Sequence, residues 1–329
     1  MSLKAIAAVL GLSVTTVSRA LNGYEDVAEE TRQRVEEEAH RRGYRPNAAA
    51  RRLKSGRANA IGLVYPVCAP PLTDNHFSDM LLALDQRLTR DEIDLLLLAD
   101  KPQDSQRTLN RTLRSRTVDA IIVTHTTPQD PRLRFLQQKG FSFLAIGRSD
   151  LPDTYAWLDV DNYAGSQLAV EYCLQQNMPK IAWLGGNEPY TFVRDRRQGY
   201  IDALGDIPPF AMAAITPSRR AGYQQTCAWL AQKRIPQAII TDCSALAEGA
   251  AMALQQAGRL QGVNRVILIG WDGLPRDSIL DQPIIAIRQV THNEAGERVA
   301  EMMLAMLDGA PLAQLQTLWQ PWLQLPSDA

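Results

Sequence analysis

Residues 3–23 read LKAIAAVLGLSVTTVSRALNG. Leu3, Ile6, Ala7 and Leu10 recur at helical spacing, so the first half predicts a short helix with one narrow apolar stripe. Gly11 ends it, because a chain that turns sharply after a helix needs positive φ, where glycine costs least. Ser13 is placed to cap the next helix by accepting a free amide two or three residues on. VTTVSRALN then buries Val17, Ala20 and Leu21 and stops at Asn22-Gly23. Two helices this small cannot bury a core by themselves. Their joint use is a helix-turn-helix, whose second helix lies in the major groove with its N-terminal side chains at base edges. Small Ala7, Gly11 and branched Val17 suit the three tightest points of that motif; the competing reading is a chance amphipathic hairpin. The outward face carries Val14, Thr15, Ser18 and Arg19, groups that touch thymine methyls, bond phosphates and fork onto guanine. Ser13, Thr16 and Asn22 complete the candidate DNA-contacting set on this helix.

A third helix follows in AEETRQRVEEEAHRRG, with Val35 and Ala39 inward and a glutamate-heavy face turned to solvent. Next comes YRPNAAARRLKSGR. Pro46 breaks the chain direction, Asn47 can cap a short helix through Leu53, and Gly56 releases it. That helix has a single large apolar residue and cannot fold alone. It suits a minor groove in which Leu53 pries apart a base step while Arg51, Arg52 and Lys54 sit near phosphates. Asn47, Ala50, Arg51, Leu53 and Lys54 are therefore the second group of candidate DNA contacts; a flexible basic linker is the competing reading.

Charge agrees with this placement. The 329-residue chain has a formal net charge of -1, yet residues 1–57 carry +4 and the remainder -5. Polyanion binding belongs at the front. The length exceeds what one ordinary core holds, and 45% hydrophobic with 22% charged residues is a globular composition. No apolar run is long enough to span a bilayer and no secretory signal pattern opens the chain, so a cytoplasmic protein is expected. Cys68, Cys173, Cys227 and Cys243 are scattered without metal-ligand spacing to the histidines. No cofactor or metal is expected.

Beyond residue 58 short apolar runs alternate with helical stretches. The expected strands are AIGLVYPV, IDLLLLAD, DAIIVTHT, FSFLAIGR, YAWLDVD, KIAWLGG, AMAAITP, QAIITD, RVILIGWDG and IIAIRQV. Such alternation predicts two doubly wound parallel sheets. The chain changes unit near 159–163 and returns near Val290, after which 294–307 packs back on the first unit. Ligands bind beyond the carboxyl ends of parallel strands, so the cleft candidates are Asp161, Asn162, Asp242 and Asp272. His76 and His125 follow strands too, although an isolated histidine there is more often ordinary surface or core. Trp157, Trp183 and Trp229 read as core.

The chain resembles the LacI/GalR family of bacterial transcriptional repressors over essentially its whole length. The resemblance is carried by LKAIAAVLGLSVTTVSRALNG, TRQRVEEEAHRRGYRPNAAARRLKSGR, AIGLVYP, LDVDNYAGSQLAVEYCLQQN, FVRDRRQGY, LIGWDG and QPWLQL, in that order. It implies an all-α headpiece (1–45), a hinge helix (46–58) and an α/β core of the type I periplasmic-binding-protein kind (59–329). Within the core, the implied subdomains are about 59–158 with 291–317, and 159–290 with 318–329. It also implies a homodimer on a palindromic operator, with Val14, Thr15 and Arg19 facing bases and Leu53 as the minor-groove wedge. By family position, Arg196 and Asp272 grip an effector's hydroxyls or carboxylate, and Phe77 supplies an aromatic wall. TDCSAL departs from the family's Asn-Asp, placing Cys243 and Ser244 there with Asp242 as the available polar group. Pro217 stands where relatives carry a stacking ring.

A guanidinium and a carboxylate together clamp vicinal hydroxyls, so a sugar or sugar phosphate is the expected effector. An ordinary interdomain ion pair is the competing reading of Arg196 and Asp272. A purine-type co-repressor and a plain carbohydrate-binding protein are the alternatives in function. Phosphate-loop, zinc-protease and nucleophile-elbow motifs are absent, and an enzyme is not expected. The chain ends soon after QPWLQLPSDA without a heptad segment, which predicts a dimer rather than a tetramer.

Overall fold

A computed structural model describes residues 2–21, 24, 26–44, 57–66, 75–101, 104–233, 235–280 and 283–326. The chain divides into two units, Met1–Ala58 and Asn59–Ala329.

The first unit contains α1 (Leu3–Leu10), α2 (Val14–Leu21) and α3 (Glu29–Arg41). Gly11 takes φ 65° and turns α1 into α2 at 108°. Ile6, Ala7, Val17, Ala20, Val27, Val35 and Ala39 form its core, with Leu3, Leu10, Leu12, Leu21 and Tyr44 packed around it. No one helix supplies that core; each depends on the other two. One expectation is corrected here. Glu38, assigned to the solvated face of α3, is buried and bonded by Arg41 and Arg42. Those arginines, Arg42 first, hold its carboxyl below the ordinary range.

The second unit has two six-stranded sheets. The first is built from β1 (Ala60–Pro66), α4 (Asn75–Thr89), β2 (Asp94–Asp100), α5 (Ser105–Ser115), β3 (Ala120–Val123), α6 (Pro131–Gln138), β4 (Phe143–Ile146) and β5 (Ala156–Val160). The chain then crosses to α7 (Asn162–Gln175), β6 (Ile181–Gly186), α8 (Thr191–Leu204), β7 (Ala211–Ile215), α9 (Arg219–Ala231), β8 (Ala238–Thr241), α10 (Ser244–Gln256), β9 (Ile267–Trp271) and β10 (Ile285–Arg288). It returns through α11 (His292–Leu307) to β11 (Gln316–Trp319) and crosses once more to β12 (Trp322–Gln324).

Sheet orders are β11-β5-β4-β3-β1-β2 and β12-β10-β9-β8-β6-β7. Among the described residues all pairings are parallel except β10 with β12. Strands such as AIGLVYP and IAWLGG are buried along their whole length because helices cover both faces. A capping box of Thr291 and Glu294 starts α11. Gly296 brings it against α4 so closely that a Cβ would stand 2.4 Å from the Met80 carbonyl oxygen. Residues 292–307 thus belong with the first sheet. Among the described residues, no single helix is long and apolar enough to cross a membrane.

Candidate functional site

On the first unit, Ser13 Oγ accepts the Thr16 amide at 2.9 Å and exchanges a hydroxyl bond with Thr16 at 2.8 Å. The start of α2 is thereby capped, with Val14 (40% exposed) and Thr15 on its open face and Ser18 and Arg19 half-buried beside them. Arg19 donates from Nε to Asp26 Oδ1 at 3.1 Å and pairs through Nη2 with Oδ2. Its guanidinium lies 5.0 Å from the centre of the Tyr24 ring. Asn22, Asn47, Ala50, Arg51, Leu53 and Lys54 lie outside the described residues.

In the second unit the carboxyl ends of β3, β4 and β5 meet α8 and the residues after β10 around a cavity of about 200 Å³. Phe77 and Arg196 both line it. Arg196 Nε donates to Asn162 Oδ1 at 2.8 Å, and Nη1 donates to the Asp242 backbone carbonyl. The guanidinium lies over Trp271, 3.8 Å from the ring centre, with Phe192 at 5.0 Å. Burial lowers its pKa, opposed by the charges of Asp272 and Asp242. Among the described residues Arg196 has no carboxylate at ion-pair distance, and N–H groups of Nη1 and Nη2 remain uncommitted. Asn162 is fixed from behind, since its Nδ2 donates to Asp159 Oδ1 at 3.2 Å and the Val160 carbonyl at 2.9 Å. Asp159 also lines the cavity and accepts from Arg148 at 2.9 Å. Burial raises its carboxyl, while Arg148 opposes the rise.

The other candidate aspartates have different duties. Asp161 caps α7, accepting the Ala164 amide at 3.0 Å. Asp242 is 2% exposed, and its Oδ2 accepts the Gly186 amide at 2.6 Å. Burial raises its carboxyl despite that bond. Asp272, at φ 61°, accepts from Gln289 Nε2 on both carboxylate oxygens, at 3.0 and 3.1 Å. None of these three lines the cavity; Gln289 does. Cys243 precedes α10 with its thiol pushed well up by burial, and Ser244 begins that helix. Pro217 lies two residues before α9, outside the cavity lining.

His125 is the centre of an aromatic group joining the two sheets. Its ring lies 5.2 Å from Tyr65 and 6.1 Å from Phe77 on one side, and 5.0 Å from Tyr190 and 6.3 Å from Phe192 on the other. It takes φ 52°, a conformation rare for side chains larger than glycine. Arg132 holds this turn, donating to the carbonyls of Thr124 at 3.0 Å and His125 at 2.9 Å while Asp130 grips its own guanidinium. Burial, with the nearby Arg132 charge, lowers the imidazole pKa to about 4. Thr191 adds two bonds across the sheets, from N and Oγ1 to the Thr126 carbonyl at 2.8 and 3.1 Å. Arg194–Asp150 and Arg276–Asp79 span the same gap at 2.9 and 2.7 Å. The side chain of His76 lies outside the described residues.

Asp159, Gln289, Phe192 and Arg132 were not among the sequence candidates. Asp159 and Gln289 had a positional signal, since each lies beside a strand end already singled out. Arg132 had none.

Comparison with known proteins gives two matching family profiles. Residues 2–47 match bacterial regulatory proteins of the lacI family, and residues 58–317 match the periplasmic binding proteins and sugar binding domain of the LacI family. The chain is 44% identical to the HTH-type transcriptional regulator RafR of Escherichia coli, over 98% of this chain and 96% of that protein. It is 34% identical to AglR of Rhizobium meliloti, over 97% and 91%. The Lac repressor dimer bound to operator and the anti-inducer ONPF superposes with a TM-score of 0.84 at 22% identity, covering 98% of this chain and 97% of that one.

Proposed function

This chain belongs to the LacI family of bacterial regulatory proteins and is a DNA-binding transcription regulator rather than an enzyme; from that premise we propose that it is a repressor released by a sugar. The cavity walled by Phe77, His125 and Phe192 is the sugar site. The single observation that carries this reading is Arg196, half-buried against Trp271 with N–H groups uncommitted at the cavity wall. A guanidinium in that state gains from any ligand that supplies oxygen acceptors, and vicinal hydroxyls match its fork. Asp159 accepts in return, Gln289 offers its amide oxygen while Asp272 holds its Nε2, and the aromatic rings cover apolar C–H faces.

The regulator works as a homodimer in the cytoplasm, with two recognition helices in successive major grooves of a palindromic operator. Val14, Thr15 and Arg19 read bases; Leu53, in the segment outside the described residues, wedges the minor groove between half-sites. Seating of the sugar alters the angle between the two sheet subdomains and separates the paired hinges. A coupling of about 1–3 kcal/mol is sufficient for such control.

A thermal-shift screen of hexoses, oligosaccharides and sugar phosphates on the purified chain identifies the effector. Binding to a duplex selected from a random library is then measured with and without it. Release by the sugar is expected. Tighter DNA binding with the sugar would make the chain a co-repressor type instead, and no shift with any sugar would refute the assigned site. Leu53→Ala should weaken binding to the selected duplex far more than binding to the sugar.

A further inference from the structure

Arginine has two hydrogen-bonding edges. Nε–H and one N–H of Nη2 form the side edge, and the outer N–H groups of Nη1 and Nη2 form the end edge. Asp26 occupies the side edge of Arg19, with Oδ1 3.1 Å from Nε and Oδ2 paired to Nη2. The Tyr24 ring backs the flat face at 5.0 Å. Tyr24 is itself tied down: its amide donates to the Arg19 carbonyl at 3.2 Å, and its carbonyl accepts Arg32 Nη2 at 3.0 Å. The end edge is left uncommitted among the described residues. That is the edge whose two parallel N–H groups match O6 and N7 of guanine in the major groove.

We propose that Asp26 is a positioning residue for sequence reading, holding Arg19 so that its end edge meets one guanine of each half-site. The inference rests on Arg19 being a base contact. Arg19 is the only cation on α2, so this helix has a single charged fork to aim. Left unrestrained, that fork must be ordered on binding and bonds the nearest phosphate readily, which gives affinity without sequence preference. Held by its side edge, it is already ordered, and the Asp26 charge offsets its attraction to the backbone. Both consequences raise the ratio of specific to non-specific binding. An exposed ion pair contributes little to folding, and Arg19 and Asp26 are 41% and 55% exposed. The pair acts on orientation rather than on stability.

The test uses the full chain, the duplex selected from a random library, versions with each G·C pair of the half-site replaced by A·T, and poly(dA-dT) as the non-specific duplex. Binding is followed by fluorescence anisotropy for the wild type, Asp26→Ala, Asp26→Asn and Arg19→Ala. Asp26→Ala should lower discrimination at one G·C pair about tenfold, leave the other pairs unchanged and bind poly(dA-dT) no more weakly than wild type. Asp26→Asn, which keeps the shape and one acceptor, should fall between. Arg19→Ala should remove discrimination at that same pair. Unchanged or improved discrimination by Asp26→Ala, with Arg19→Ala still losing it, would overturn the positioning role alone. Intact discrimination by Arg19→Ala would overturn the base contact and the proposal with it. Equal loss on every duplex would reveal a merely structural residue and also overturn it.

Discussion

Arg19, proposed to read DNA, and Arg196, proposed to hold the sugar, are set in opposite ways. Arg19 stands at the surface with its own carboxylate, Asp26, before any ligand arrives. Arg196 is sunk against Trp271 and Phe192, bonded to an amide oxygen and a backbone carbonyl, with no carboxylate at ion-pair distance among the described residues. Both are stacked on aromatic rings, so stacking does not distinguish them. Charge compensation does. DNA supplies abundant negative charge, and a reading arginine benefits from being partly neutralised so that phosphates do not dominate. A cleft ligand supplies few acceptors, and an under-compensated arginine makes each of them count.

The contrast is broken most directly at Arg196. Arg196→Ala should weaken sugar binding about a hundredfold, roughly 3 kcal/mol, because charge-assisted bonds and their orientation go together. Calorimetry with the sugar found by the thermal-shift screen measures this, and Arg196→Lys should not restore binding, since an ammonium lacks the planar fork.

A nearly equal effect is expected from pH at His125. The unfolded chain binds that proton near the ordinary 6.5 and the folded chain near about 4, so between these values the unfolded state holds more protons. The neutral ring's full contribution is present above pH 6.5 and is lost as pH falls toward 4, by up to roughly 3 kcal/mol. Denaturant melts of wild type and His125→Asn across this range test it. Asparagine tolerates positive φ and does not titrate, so the variant should show a flatter pH dependence.

Smaller changes sharpen the comparison on the DNA side. Gly11→Ala places a Cβ in empty space but at φ 65°, so only backbone strain opposes it. A loss of about 1 kcal/mol in the thermal melt of the first unit is expected. Asp26→Ala should change the same melt by under about 0.5 kcal/mol while altering sequence discrimination. A larger melting change would show that the Arg19–Asp26 pair serves the fold.

The ten apolar runs foretold the first ten strands because an apolar run of strand length stands out without its partner, whether it is buried throughout, as in β1 and β6, or partly exposed, as in β2 and β7. β11 and β12 escaped notice. QTLW and WLQ are short and partly exposed, and only pairing with β5 and β10 makes them strands. The same limit governed the cleft. Position after a strand does not say where a carboxylate turns. Asp161 turns back to cap a helix, Asp242 to an amide beneath the rim, and Asp272 to Gln289. Phe77 and Arg196 reached the cavity from helices, where family position rather than strand ends had pointed. Glu38 shows the matter in reverse, a charged residue in a glutamate run that two neighbouring arginines render buriable.

The chain passes between the two sheet subdomains after β5, after β10 and after β11. A single strap would let the halves swivel freely, and a pair would still permit torsion about the line joining them. Three straps at separate points leave bending as the soft direction and stiffen the rest. Any movement of one subdomain on the other would therefore be channelled into bending, much as a door hung on several leaves can only swing.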